Sequence, residues 1–219
     1  KAGHGPSYLR YQKKYPATIL AGCCDLNEKM AVEFKEKFGF NNSYVDYHTM
    51  LKAENPDVVC VITTESVTKK VTVDVLKMGY PVLLEKPPGL DVKEVNEIAN
   101  AAKQAGLPAR VAFNRRYMPL VQELKKELKE CGEPIISIDY MFVRVGRANN
   151  DFSTTAIHGV DTVRYLLDSD YSTVEFQYNP VEYNDKFCLN SNFTCKFESG
   201  ASANLTFLPS GGCIIERAL

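Results

Sequence analysis

In the stretch GYPVLLEKPPGLDV, residues 79–92, an apolar run of Val82, Leu83 and Leu84 leads straight into Glu85 and Lys86, and two prolines follow. A carboxylate and an ammonium at the end of a buried strand are either a solvated ion pair or two groups delivered to a site. In an open parallel sheet, ligands bind at the carboxyl ends of the strands, and this pair sits at such an end. Lysine exchanges protons near neutrality only if its surroundings lower an intrinsic pKa of roughly 10.4, as a nearby cation would. A cis Lys86–Pro87 bond would hold the ammonium at a fixed angle across the strand end.

His158, in TTAIHGVDTVRYL, shares a predicted helix face with Asp161 three residues on. By itself it reads as a satisfied structural histidine or as a proton-transfer group. His4 lines a glycine turn, and His48, just after Asp46 at a helix start, reads as a surface residue. The turn Gly3-His4-Gly5 runs into a helical stretch from Ser7 to Lys14, and the next strand ends at Asp25. That order fits a dinucleotide site. Glycines let the backbone approach a pyrophosphate, the helix dipole favours its charge, and the carboxylate accepts from the adenosine ribose hydroxyls. The alternative is an ordinary turn and an Asp25 that caps a helix starting at Leu26. Asp25 with no arginine beside it would repel a 2′-phosphate and favours NAD over NADP, with Lys29 weakening that preference. The positive ring of NAD+ would be the cation that Lys86 requires.

These residues need a scaffold, and two rhythms supply it. Ile19 to Cys24, Val58 to Ile62, Val82 to Leu84 and Val111 to Phe113 are short and apolar on both faces, as buried parallel strands are. Between them, residues 27–38, 66–78 and 92–105 carry apolar side chains at helical spacing, with Gly39, Gly79 and Gly106 where helix C-termini need a left-handed residue. After residue 115 comes one more helix, 120–130. Period-two alternation follows at Ile136, Ile138, Tyr140 and Phe142 and again at Ala201, Ala203, Leu205 and Phe207, interrupted by a short helix over 153–167. The expected fold class is α/β: a Rossmann parallel sheet over residues 1–115, then an α/β unit with an open, mainly antiparallel sheet over 116–219. A sheet that starts on a glycine turn is expected to lack its first strand, so the sequence reads as a piece of a longer chain, incomplete in its second unit too.

Charge is balanced, with 26 basic and 27 acidic side chains, which excludes the electrostatic footprint of a nucleic-acid or anionic-membrane binder. No apolar run reaches the roughly 20 residues of a membrane span. Cys23, Cys24 and Cys60 read as small buried hydrophobes, and Cys188 and Cys195 flank a polar turn across which they could meet. Cys-x-x-Cys spacing is absent, so no metal site is expected, and a reducing cytoplasm is the default.

CCDLN at a strand end, EKPPG after a later strand, FNRRYMP and then IHGVD occur in this order and spacing over nearly the whole chain. Together they resemble the Gfo/Idh/MocA family of nicotinamide-dependent oxidoreductases. The resemblance implies NAD (NADP possible), hydride transfer to or from a carbinol or carbonyl carbon of a sugar- or polyol-like substrate, and a homo-oligomer formed through the second sheet. It implies that Lys86 contacts substrate and cofactor and that Glu85 lies on the nicotinamide side. Asp25 would meet the adenosine ribose, with Gly3, Gly5 and Thr63 also at the cofactor. Asn114 and Arg116 would lie near nicotinamide and substrate, and His158 would face the substrate as proton relay or orienting group.

Three positions depart from the family pattern. Thr154 stands where many members complete a Lys-Asp-His set, leaving Asp151 or Asp161 as substitutes. Ala156 stands where glycine is usual. Thr63-Thr64-Glu65-Ser66-Val67-Thr68 replaces the usual Thr-Pro-Asn-x-x-His, so no histidine lies there. The reading is a dehydrogenase or reductase acting on CH–OH groups, with Lys86 and His158 catalytic. The rival is a nicotinamide-binding sensor or scaffold with weakened catalysis.

Overall fold

The computed structural model describes residues 3–147, 153–183 and 185–219. Its first half alternates helix and short strand: α1 (His4–Lys14), β1 (Gly22–Cys24), α2 (Glu28–Phe38), β2 (Asn42–Tyr44), α3 (Tyr47–Glu54), β3 (Val59–Val61), α4 (Glu65–Lys77), β4 (Val82–Leu84), α5 (Val92–Ala105) and β5 (Ala109–Val111). All these strands pair in parallel, β1 with β2 and β3-β4-β5 as a second group. Among the described residues hydrogen bonds do not join the two groups, so there β1 and β3 each show one edge without a partner strand. Helices α2, α3 and α5 begin at Asn27, Asp46 and Asp91, whose side chains accept from the N–H of Met30, Thr49 and Glu94. Gly39 and Gly106 end α2 and α5 at φ +72° and +64°, the left-handed conformation that an L side chain resists. Leu51, Val61, Val75, Leu76, Val82, Leu84 and Ile98 are buried together as the core of this half.

The second half follows a 3₁₀ turn (Asn114–Tyr117): α6 (Pro119–Cys131), β6 (Ser137–Val143), α7 (Ser153–Leu167), β7 (Tyr171–Tyr183), β8 (Lys186–Phe197), β9 (Ser202–Leu208) and β10 (Ile215–Ala218). Its five strands lie in the order β10-β6-β9-β8-β7, antiparallel except for the parallel pair β6–β9. Alternation sends Ile138, Tyr140 and Phe142 of β6 and Ala203, Leu205 and Phe207 of β9 to one face, where they bury against Ala156, Val163 and Leu166 of α7. Gly159 permits that close approach, since a Cβ there would lie 2.6 Å from the Tyr140 ring and 2.8 Å from Phe207.

The α/β architecture is the expected one, with parallel Rossmann-like sheets followed by a mostly antiparallel sheet. Several boundaries differ. The fifth parallel strand is Ala109–Val111, two residues before the expected start, because Val111 is already its last ladder residue opposite Leu84. Helix α1 begins at His4 rather than Ser7. Cys188 and Cys195 lie on the same strand, opposite Val181 and Val174, so they cannot meet across a turn, and all seven cysteines are free. Cys23, Cys24 and Cys60 are only half-buried. Among the described residues no helix is long and apolar enough to cross a membrane.

Candidate active site

β4 ends at Leu84, and its ladder closes with the Glu85 N–H donating to the Val61 carbonyl at 3.0 Å. The next two side chains therefore emerge at the carboxyl end of a central parallel strand. Glu85 is gripped from two sides: its Oε1 lies 2.5 Å from His4 Nε2, and its Oε2 accepts the Lys86 N–H at 3.0 Å. The hydrogen bond from His4 is the largest of the causes that hold Glu85 below the ordinary carboxylate range, against the opposing effect of burial. The Lys86–Pro87 bond is cis. Lys86 Nζ donates to the Thr154 main-chain carbonyl in the first turn of α7, at 3.0 Å. The departure at position 154 thus leaves the lysine a partner that does not depend on which side chain stands there.

One turn along α7, His158 is buried, with its Nδ1 shielded from solvent and without a hydrogen-bond partner among the described residues. Burial first, then the positive charges of Arg115 and Lys86, push its pKa down to about 4 against the weaker pull of Glu216 and Glu85. The imidazole is therefore neutral at neutral pH and keeps a lone pair to accept a hydrogen bond. Asp161 does not serve it. Both Asp161 oxygens are taken by Arg116, with Nε to Oδ2 at 2.8 Å and Nη2 to Oδ1 at 2.5 Å. Arg116 is thus a strut joining the 3₁₀ turn to α7, stacked between the rings of Phe113 and Tyr165 at 5.7 and 5.4 Å. Asp151, the other substitute considered, lies outside the described residues.

The remaining expected residues gather at the same strand ends. Gly3 caps α1, whose start has neither a side-chain cap nor an acidic residue in its first turn, and a Cβ on Gly3 would meet nothing within 4 Å. Open N–H groups with free space before them suit a pyrophosphate. Gly5 also serves packing, since a Cβ there would stand 2.5 Å from the Phe38 ring, and its absence lets α1 lie close on α2. Asp25 is exposed at the end of β1, and its Oδ1 accepts the Asn27 N–H at 2.8 Å. The cap of α2 is Asn27, not Asp25, and Asp25 stays exposed, as a ribose contact needs. Thr63 Oγ1 lies 3.0 Å from Thr68 Oγ1, and Thr68 is buried with a further bond to the Thr64 carbonyl. Asn114 is exposed, its Oδ1 accepting from Arg115 Nη1 at 3.0 Å. These donors and acceptors, ranged along one end of the parallel strands, fit a dinucleotide.

Three residues escaped the sequence reading. His4 was expected only to line its turn, yet it holds Glu85. Arg115, not Arg116, is the arginine whose charge acts on His158. Glu216 binds Arg115, 101 residues away, and leaves no local signal.

A parallel layer with an anion-ready helix terminus, its strand ends closed over by a helix that lies on a second sheet, defines a two-part dinucleotide-binding α/β protein. Residues 2–113 match the oxidoreductase family with an NAD-binding Rossmann fold, and the chain belongs to the Gfo/Idh/MocA family. It is 26% identical over 183 residues to the myo-inositol 2-dehydrogenase of Thermotoga maritima, covering 78% of this chain and 54% of that one. The inositol 2-dehydrogenase/D-chiro-inositol 3-dehydrogenase of Lactiplantibacillus plantarum is 26% identical over 179 residues, 51% of its length. The chain thus spans about half the length of these relatives. Among solved structures, the myo-inositol 2-dehydrogenase of Lactobacillus plantarum superposes with a TM-score of 0.79 at 20% identity, covering 98% of this chain and 69% of that one. An Agrobacterium radiobacter oxidoreductase, crystallised with NAD+, L-tartaric acid and magnesium, does so with a TM-score of 0.75 at 18% identity, over 91% of this chain and 62% of its own.

Proposed function

We propose that this chain is the core of an NAD(P)-dependent oxidoreductase acting on a CH–OH carbon of a small polyol- or sugar-like metabolite. Residues 1–115 would form the cofactor domain and 116–219 the substrate domain. The observation that carries the reading is the Lys86 ammonium, held at the end of β4 against the first turn of the helix that bears neutral His158, whose Nδ1 has no hydrogen-bond partner among the described residues. Oxidising a carbinol removes a hydride from carbon and a proton from oxygen. The nicotinamide, when bound, exchanges the hydride. The protein's work is then the proton and the geometry. His158 takes the proton of the reacting hydroxyl through Nε2, and the Lys86 ammonium stabilises the negative charge that develops on that oxygen. Gly3 and the α1 N–H groups would hold the pyrophosphate and Asp25 the ribose, which favours NAD over NADP. Thr63, Glu85 and Asn114 would lie beside the nicotinamide half.

The test is titration of the full chain with NAD+ and NADPH followed by tyrosine fluorescence, then a screen of inositols and sugars by reduced-nicotinamide absorbance. Lys86→Ala is expected to abolish the turnover found while cofactor affinity stays within about threefold. A fully active Lys86→Ala enzyme defeats the mechanism, and absence of saturable binding defeats the reading.

A second reading, a nicotinamide-binding sensor, is favoured by Thr68, which is buried and satisfied within its own turn and so offers the cofactor nothing. Tight cofactor binding without turnover on any substrate selects it. The family's assembly through the second sheet is part of the proposal. Phe176, Tyr178, Phe187 and Leu189 fall on one face of the β7–β8 ladder by period two, and all are exposed. A reducing, cytoplasmic setting suits the free thiols.

A further inference from the structure

Beside the proposed site lies a charged cluster with no role yet assigned. β10 sets Glu216 opposite Phe142 of β6. Its carboxylate accepts from the Tyr140 hydroxyl at 2.8 Å, from Arg144 Nη2 at 2.9 Å and from Arg115 Nε at 3.2 Å. Burial alone would raise the Glu216 pKa, but the donors from Arg115, Tyr140 and Arg144 outweigh it and keep the group ionised. Tyr140 and Arg144 belong to β6 and its end, so their bonds could serve the sheet alone. Arg115 does not belong there. It arrives from the 3₁₀ turn beyond β5, at the carboxyl end of the parallel strands, and it is one of the two cations acting on His158.

A guanidinium is a rigid plane, so fixing two of its nitrogens fixes the third. Glu216 takes Arg115 Nε and, at 3.4 Å, Nη2. The remaining nitrogen, Nη1, is thereby aimed at Asn114, whose Oδ1 accepts it at 3.0 Å. A carboxamide that gives its oxygen to an arginine must turn its NH₂ the other way, as a donor of defined direction. Glu216 thus determines, from the far sheet, which face of the Asn114 amide is presented beside the site.

We propose that Glu216 is a positioning residue for the reaction: it aligns Arg115, whose charge acts on His158, and through Arg115 the Asn114 amide at the end of β5. This rests on the oxidoreductase reading, and the test separates the two. In the full chain, Glu216→Gln is expected to lower kcat/KM for the polyol by about tenfold or more while NAD+ affinity stays within about twofold. Tyr140→Phe removes a donor to the same carboxylate without touching Arg115, and is expected to leave kcat/KM within about twofold. In an Arg115→Lys background, Glu216→Gln should cost nothing further, since groups that act as a unit are not additive. Independent, additive losses overturn the proposal, as does a Glu216→Gln enzyme with kcat/KM within about twofold of the parent. Should the parent turn over no polyol, the functional reading fails and the catalytic role with it, while the alignment of Arg115 and Asn114 by Glu216 is still decided by NMR. The Arg115 Nε–H and Asn114 NH₂ signals of the ¹⁵N-labelled chain must both shift in Glu216→Gln, and unmoved signals overturn it.

Discussion

Asp161→Asn tests the tie between the two halves. The Asp161 side chain is 6% exposed and receives both arms of the Arg116 fork, while Arg116 itself is 31% exposed. Breaking a buried ion pair costs about 3–5 kcal/mol because it strands a charge, but the stranded charge here keeps a third of its surface in water and recovers part of its hydration. Asparagine also retains one acceptor oxygen for one arm. The expected loss is therefore about 2–3 kcal/mol, between a neutral hydrogen bond and a fully buried broken pair. For a chain of this size that lowers Tm by roughly 4–12 °C, at about 2–4 °C per kcal/mol. Urea unfolding and calorimetry of parent and variant supply both numbers. The Arg116→Gln partner and the double variant complete a cycle whose coupling should reach about 1 kcal/mol or more. A loss under about 0.5 kcal/mol would mean that the fork and the carboxylate merely tolerate each other, and the account of Arg116 as a strut would fall.

Further outcomes follow from single residues. Gly159→Ala drives a methyl into Tyr140 and Phe207 and should cost about 1–3 kcal/mol in urea unfolding; a neutral change would show that α7 stands off the sheet. His158 has a folded pKa of about 4, below the 6.5 of the unfolded chain, so the unfolded state takes up the proton first. Its contribution is complete above pH 6.5 and is lost as pH falls toward 4; at the limit it is on the order of 3 kcal/mol. His158→Gln should therefore flatten the stability profile between pH 7 and pH 5, and an unchanged slope would refute the buried neutral imidazole. Phe187→Asp places a charge on the exposed face of β8 and should lower the mass measured by light scattering; an unaltered mass assigns assembly to another surface.

What was legible in the sequence was local. Helices α2 and α5 announce themselves by apolar spacing closed by Gly39 and Gly106, and they lie within a residue of expectation because cap and period are written in adjacent residues. Lys86 was legible for the same reason, since an apolar run ending in charges and prolines is a local oddity. The hairpin β7–β8 was missed although Val174, Phe176 and Tyr178 alternate at period two. Its aromatic side chains alternate with polar ones and most of β7 is exposed, so no apolar block marks it. The parallel pairing of β6 with β9 and the reach of Glu216 to Arg115 are invisible to any window. Each joins segments whose separation carries no periodic trace. Of the two adjacent arginines, sequence could not say which would turn to Asp161 and which toward His158; the sense of the 3₁₀ turn decides it.

The strand order also has a meaning in time. β6 waits for β9 on one side and β10 on the other, both made after the β7–β8 hairpin. A ribosome that has just joined Arg115 to the chain needs roughly 5–20 s, at about 5–20 residues per second, before Glu216 exists to receive it. Throughout that interval the parallel layer can form and collect its strand-end residues, while the tie that aligns Arg115 is still unmade. The nascent protein can thus gain its parallel layer before the tie between Arg115 and Glu216 closes.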